Sequence, residues 1–273
     1  RSPASRVAQT MALANDAGER IWAAVTDPEI LIGTFSYLLL KPLLRNSGLV
    51  DEKKGAYRTS MIWYNVLLAL FSALSFYVTA TALGWDYGTG AWLRRQTGDT
   101  PQPLFQCPSP VWDSKLFTWT AKAFYYSKYV EYLDTAWLVL KGKRVSFLQA
   151  FHHFGAPWDV YLGIRLHNEG VWIFMFFNSF IHTIMYTYYG LTAAGYKFKA
   201  KPLITAMQIC QFVGGFLLVW DYINVPCFNS DKGKLFSWAF NYAYVGSVFL
   251  LFCHFFYQDN LATKKSAKAG KQL

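Results

Sequence analysis

Seven stretches of this sequence are long and apolar enough to enter a lipid bilayer, and little else remains from which a water-soluble core could be built. A helix that crosses the hydrocarbon layer needs roughly 20 mostly apolar residues. Such stretches run over Pro28–Leu44, Ser60–Leu83, Lys115–Leu140, Ser146–Leu166, Gly170–Leu191, Pro202–Ile223 and Leu235–Tyr257. Backbone N–H and C=O groups find no water in hydrocarbon, so such runs must pair their polar groups internally, as helices. The expected fold is an all-α membrane protein with seven transmembrane helices. The first and fourth stretches are interrupted by proline or polar residues and read alternatively as re-entrant or interfacial segments.

Composition agrees. Charged residues make up 15% of the chain, against the roughly one quarter usual in soluble domains. Aromatics reach 19%, and Tyr and Trp suit bilayer interfaces and packed helix bundles. These values exclude a disordered, collagen-like or coiled-coil chain. No repeat and no second domain is visible. Residues 1–27 read as a non-cytosolic N-terminal segment, with 1–10, upstream of Met11, as an extension before a natural start. Residues 28–257 are expected to form the helical domain, and 258–273 a basic, disordered and solvated cytosolic tail.

The net charge is +10, and the basic residues sit between the apolar runs, which makes them topology signals rather than a nucleic-acid footprint. Fifteen basic residues fall on one side: Lys41, Arg45, Lys53, Lys54, Arg58, Lys141, Lys143, Arg144, Lys197, Lys199, Lys201 and four in the C-terminal tail. Nine fall on the other. The positive-inside rule then places the first side, with the C-terminus, in the cytosol. The same topology puts Cys107 and Cys227 together in an oxidising lumen, where a disulfide is expected; two free thiols are the alternative.

Ionisable groups inside a membrane helix are costly and mark function. The third stretch carries Lys128, Glu131, Asp134 and Thr135 at spacings that share a helical face. In the fourth, Gln149 precedes His152 and His153 by three and four positions. The fifth stacks Asn178, His182 and Tyr186 four apart, and the sixth carries Thr205, Gln208 and Gln211. Four consecutive stretches thus aim polar stripes at a shared interior. A structural ion-pair network that locks helices together is the alternative for any single residue. Five histidines are too few for a many-histidine di-iron site. A mononuclear metal on His152, His153 and His182 is geometrically awkward, because neighbouring helical residues point about 100° apart. No metal is expected. A seven-helix receptor or transporter is the alternative class: a receptor would not require a buried polar cluster, a retinal protein needs a lysine in the last stretch, which has none between Leu235 and Tyr257, and a transporter would be expected to show inverted repeats.

In order and spacing, KYVEYLDT at 128–135, FLQAFHHFGAP at 147–157, NSFIHTIMYTYYG at 178–190 and TAMQICQ at 205–211 resemble the ELO family of very-long-chain fatty acid elongases. These are the condensing enzymes, 3-oxoacyl-CoA synthases, of the endoplasmic reticulum. The resemblance spans nearly all of residues 30–258. It implies a seven-helix bundle around an acyl tunnel. The reaction implied is decarboxylative condensation of malonyl-CoA with an acyl-CoA, with these thioesters as substrates and no tightly bound cofactor. It implies an endoplasmic reticulum location among membrane lipid, beside other elongation-cycle enzymes, with oligomers allowed. Carried onto this sequence, His152 is the nucleophile that becomes acylated, and Asn178 and His182 orient malonyl-CoA and stabilise the developing oxyanion. His153 and Gln208 are further donors, Glu131 or Asp134 fixes a histidine tautomer, and Lys128 neutralises those carboxylates or meets a thioester oxygen. Tyr186 and Gln211 join the substrate-binding set.

The family usually has HxxHH where this chain has Gln149 in place of the first histidine. An amide cannot titrate or be acylated, so position 149 is expected to place the neighbouring histidines rather than to react. This departure, with the overall sequence, is similar to haptophyte-algal elongases of Δ9-unsaturated C18 polyunsaturated acyl chains, of linoleoyl or α-linolenoyl type. Coenzyme A is anionic, so Lys141, Lys143, Arg144, Lys197, Lys199 and Lys201 are expected at the mouth of the site. Met175, Phe176, Phe177 and Phe216 are expected along the acyl tail, with plain core packing as the alternative.

Overall fold

A computed structural model describes residues 16–44, 55–84, 90–99, 105 and 111–269; of these, the side chains at 55, 56, 91 and 259–269 lie outside the description. Residues 1–10 and Cys107 also lie outside the described residues. Among the described residues there is helix and turn and no strand. The helices are α1 (16–25), α2 (Pro28–Leu44), α3 (Gly55–Ala82), α4 (Gly90–Thr97), α5 (Lys115–Val130), α6 (Tyr132–Leu140), α7 (Phe147–Arg165), α8 (Val171–Ala193), α9 (Lys201–Asp221), α10 (Pro226–Asn229) and α11 (Lys232–Ala269).

Local chemistry sets several ends. Ser114 accepts a hydrogen bond from the Phe117 N–H, and Ser146 from the Gln149 N–H, so α5 and α7 begin with side-chain caps. Pro28 and Pro202 occupy first-turn positions, where the missing N–H costs nothing. The C-terminal end of α8 is capped from another helix: Arg58 of α3 donates to the Ala193 and Ala194 carbonyls. Gly195 follows with φ +102, and a Cβ there would meet the Arg58 guanidinium at 2.7 Å. Only glycine serves both the backbone turn and the arginine's approach.

Packing among the described residues closes a ring. α3 lies along α8, α8 on α9, α9 on α11, α11 on α7, α7 on α5 and α5 back on α3, while α2 sits outside against α6 and α7. Trp63, Leu67, Leu70 and Leu74 form an outward stripe on α3. The main apolar core gathers at one end, around Val111, Leu166, Tyr222, Val225 and Phe228. Two smaller buried clusters stand apart from it, one around Tyr186 and one around Tyr244.

Among the described residues, four stretches are long and apolar enough to cross a membrane by length and composition: Asp16–Leu44, Tyr57–Ala82, Lys201–Asn224 and Lys232–Gln258. The chain is an all-α membrane protein. The remaining expected spans are helical where the sequence places them, as α5 with α6, α7 and α8, and these are the helices that carry the histidines, Lys128 and the carboxylates.

Two expectations need correction. The third stretch is two helices, broken at Glu131, where the Asp134 N–H bonds back three residues to the Glu131 carbonyl. The tail from 258 is helix as far as Ala269, not irregular chain: Ala and Lys favour helix, and the first breaker is Gly270. The N-terminal segment contains helix α1, tied by Arg20 to Asp231 at 2.9 Å. Cys227 is disulfide-bonded, while Cys210 and Cys253 are free.

The α2–α5 contact depends on Gly33, where a Cβ would stand 2.6 Å from the Tyr129 ring. Gly33→Val is expected to overpack this contact and destabilise the fold by about 1–3 kcal/mol. Thermal melting in detergent reads this; an unchanged midpoint would mean that the Tyr129 ring can swing aside freely.

Candidate active site

The centre of the ring holds a buried cation. Lys128, near the end of α5, is 2% exposed, and its side chain lies inside the protein among three acceptors. Its Nζ donates to Glu131 Oε1 at 2.7 Å and to Asn178 Oδ1 at 3.0 Å, and sits 4.1 Å from the centre of the Phe124 ring. An ammonium has three N–H groups and no acceptor, so two bonds and a cation–π contact account for all three. Lysine also fixes the neighbouring amide. Only the oxygen of Asn178 can face Nζ, so Asn178 Nδ2 faces His182 Nε2, at 3.1 Å, and donates to it. Nε2 therefore accepts, and neutral His182 carries its proton on Nδ1, which lies 3.6 Å from Glu131 Oε1.

His182 and Asn178 come from consecutive turns of α8, four residues apart, and Lys128 and Glu131 flank the end of α5. The α5–α8 pairing thus assembles the network. Asp134 takes no part in it. Its carboxylate accepts from the Tyr186 hydroxyl at 2.8 Å. Thr135 turns the other way, with Tyr37 Oη and Gln149 Nε2 each 3.1 Å from its hydroxyl. The stripe read from spacing alone is split because the i→i+3 step at Glu131 changes the azimuth of everything after it.

Gln149 bonds to no histidine. It ties α7 to Thr135 of α6, Thr135 meets Tyr37, and the Tyr37 ring stacks on His153 at 6.0 Å. Its effect on the histidines runs through that chain of contacts. His153 is further enclosed by Tyr132, edge-on at 6.2 Å, and by His152 at 5.4 Å. His152 Nδ1 stands 3.2 Å from the hydroxyl of Tyr244 on α11. Tyr244 was not marked by the sequence, since a tyrosine in an aromatic-rich helix carries no sign of its partner.

A cavity of about 600 Å³ joins these groups. His152, His153, His182, Asn178, Glu131, Asp134 and Gln149 line it, with Tyr186, Gln208 and Gln211. Lys128 does not; it stands behind Glu131 and Asn178. Gln208 donates to Met185 Sδ at 3.6 Å, and the buried Gln211 Oε1 has no partner among the described residues. Lys141 and Lys201 reach the cavity. Lys143, Arg144, Lys197 and Lys199 are exposed and do not line it. Phe212, Val245, Val248 and Phe252 give it an apolar wall, and a smaller cavity of about 40 Å³ follows between α8, α9 and α11. Phe177 and Phe216 line that extension, whereas Met175 and Phe176 pack elsewhere.

Ligand atoms of Glu131, His152 and His182 lie within 4.8 Å of one another, a spacing that a metal ion accepts. The donor chemistry argues otherwise. Glu131 Oε1 already holds the Lys128 ammonium, whose charge opposes a cation, and His182 Nε2 is taken by Asn178. The cluster is organised as a hydrogen-bond network with one open imidazole, His152, beside it.

The family profile described as ELO: GNS1/SUR4 family matches residues 24–268. Very long chain fatty acid elongase 3 of Homo sapiens is 35% identical over 264 residues, covering 93% of this chain and 89% of that protein. Very long chain fatty acid elongase 7 of Rattus norvegicus is 32% identical over 260 residues, covering 89% and 85%. Very long chain fatty acid elongase 1 of Homo sapiens is 29% identical over 246 residues, covering 88% and 83%.

Removing one partner of a buried pair strands the other charge. Lys128→Met is expected to cost about 3–5 kcal/mol. The double variant Lys128→Met with Glu131→Leu is expected to cost less than the sum of the singles. A double-mutant cycle on detergent melting measures the coupling; strict additivity would show that the two side chains act independently.

Proposed function

The chain belongs to the ELO family, and we propose that it is a fatty acid elongase that condenses malonyl-CoA with an acyl-CoA to a 3-oxoacyl-CoA two carbons longer. The observation that carries this reading is the convergence of His152, His153, His182 and Asn178 on one cavity with basic residues at one part of its wall and apolar residues at another. A thioester with an anionic head and an oily tail needs that combination.

In the first step, an imidazole nitrogen of His152 attacks the thioester carbonyl carbon, the C–S bond breaks, and CoA leaves with the proton. Covalent capture divides one hard condensation into two easier steps. In the second, malonyl-CoA loses carbon dioxide, and the electron pair freed by C–C cleavage forms an enolate without a strong base. Its carbon attacks the acyl carbonyl, the C–N bond breaks, and the departing imidazolate takes a proton from water to restore neutral His152. Asn178 and His182 hold the malonyl thioester. The Asn178 amide, with one N–H on His182 Nε2, has its other N–H as a donor, fixed before reaction, for the negative charge that develops there, while the Nδ1–H of His182 faces Glu131. Lys128 and Glu131 act through these two side chains, which they hold in place. Lys141 and Lys201 meet the CoA phosphates, and the lysines farther out raise the local concentration of the anionic substrate. The acyl tail follows the apolar wall toward the narrow extension between α8, α9 and α11.

The acyl class we propose is C18 with a Δ9 double bond and further unsaturation, as in linoleoyl- or α-linolenoyl-CoA; its support is the QAFHH sequence at 149–153. The site faces the cytosol of the endoplasmic reticulum membrane in this reading, because both thioesters are anionic and the basic loops share that end.

Microsomes from yeast expressing the chain are expected to incorporate labelled malonyl-CoA into a longer acyl chain only when acyl-CoA is supplied. Fatty acid profiles of cells fed linoleate or α-linolenate are expected to show C20 products; elongation of saturated chains alone would reject the acyl class but not the reaction. Incubation with acyl-CoA and no malonyl-CoA is expected to add one acyl mass to the His152 peptide, and His152→Ala is expected to lose that adduct and turnover. An active His152→Ala enzyme with no adduct in the wild type would remove the two-step mechanism.

A further inference from the structure

The hydroxyl of Tyr244 touches His152 twice. It stands 2.9 Å from the His152 backbone carbonyl and 3.2 Å from the His152 Nδ1. A phenol has one proton to give. If that proton went to Nδ1, two oxygens would face each other at 2.9 Å with lone pairs opposed. If it goes to the carbonyl, the phenol oxygen is left as an acceptor, and Nδ1 must supply the second proton. The arrangement that satisfies both contacts has Tyr244 donating to the carbonyl and accepting from Nδ1–H. The neutral ring then has no proton on Nε2, and Nε2 has no hydrogen-bond partner among the described residues.

The ring of Tyr244 is held to this position from three sides. It stacks on Phe151 at 5.7 Å and on Phe240 at 6.3 Å. Its third neighbour is Gly155 of α7, where a Cβ would stand 2.2 Å from Tyr244 Cε2. Any other residue at 155 would push the ring away from the turn that carries His152. A glycine in the middle of a helix is unfavourable by about 1 kcal/mol, so its presence there is explained by the approach it permits.

We propose that Tyr244 is a positioning residue that locks His152 in the Nδ1–H tautomer and thereby makes Nε2 the atom that takes the acyl group. This rests on the reading of His152 as the acylated residue. On attack by Nε2, the C–S bond breaks and CoA leaves as a thiolate, while the acylated ring keeps its Nδ1 proton and one positive charge. Tyr244 Oη stays as acceptor to that N–H and holds the charged ring in place. Passage of the Nδ1 proton to the thiolate yields neutral acyl-imidazole and free CoA. The role of orienting a reactive imidazole thus falls to a neutral phenol from α11, with Glu131 reserved for His182.

Histidine labelled with nitrogen-15, with the His152 signals assigned by loss in His152→Gln, reads the tautomer in the intact detergent-solubilised protein. The wild type is expected to show a protonated Nδ1 and a bare Nε2. Tyr244→Phe is expected to give a mixture of tautomers, and to slow formation of the acyl adduct from acyl-CoA alone by about 10–100-fold, with KM for acyl-CoA little changed. Gly155→Ala, which displaces the ring while leaving its hydroxyl, is expected to do the same. A wild-type spectrum with the proton on Nε2 overturns the proposal even if neither variant folds. So does a Tyr244→Phe enzyme that acylates at the wild-type rate, or one that slows with its tautomer unchanged. Absence of any adduct on wild-type His152 would instead reject the acyl-histidine reading, and the tautomer spectrum would still decide the part played by Tyr244.

Discussion

A lysine ammonium buried among helices of a membrane protein is the interaction on which the rest of this structure depends. Lys128 is removed from water almost completely. The cost of doing that to an unpaired ion is several kcal/mol or more, and it is tolerable only with paired charge and filled hydrogen bonds. Glu131 supplies the charge, and Asn178 and the Phe124 ring supply the remaining contacts. Because lysine only donates, it dictates which way the Asn178 amide turns. The amide in turn dictates which nitrogen of His182 is bare. One buried charge thus sets a chain of orientations that ends at the cavity wall, two residues away from itself.

The helix break at Glu131 follows from the same requirement. A continuous helix would present Lys128, Glu131, Asp134 and Thr135 as one stripe toward one neighbour. With the tightened turn, the first two face α8 at Asn178 and His182, Asp134 meets Tyr186 further along α8, and Thr135 reaches α2 and α7 through Tyr37 and Gln149. Both helices therefore bond to α8, and α6 alone, through Thr135, also ties to α2 and α7. The two histidine centres are built independently. His182 is organised from α5, and His152 from α11, so each imidazole has its own orienting partner.

Much of this was legible in the sequence because membrane helices obey a severe rule: a polar side chain in an apolar run must face inward. That rule picked out Gln149, His152, His153, Asn178, His182, Gln208 and Gln211, and all of them line one cavity. It did not separate the residues on the wall from those behind it, and Lys128 sits behind. It overstated the basic loops as well: Lys141 and Lys201 reach the cavity, while their neighbours in sequence extend into solvent. Hydrophobic period fixes which face a residue occupies, but loop residues have no such constraint.

The sequence by itself determined the helices, their places along the chain and the inward direction of their polar stripes, because burial in hydrocarbon leaves no other arrangement with satisfied backbone and paired charge. Partnership was decided only in three dimensions. Nothing in the local pattern around Tyr244 or Gly155 tells that a phenol from the last helix passes over a glycine to reach His152, since the two segments are about ninety residues apart in sequence and meet through the closure of the ring. Tautomer and amide orientation depend on which donor faces which acceptor across such contacts, and that is a property of packed helices, not of any one of them.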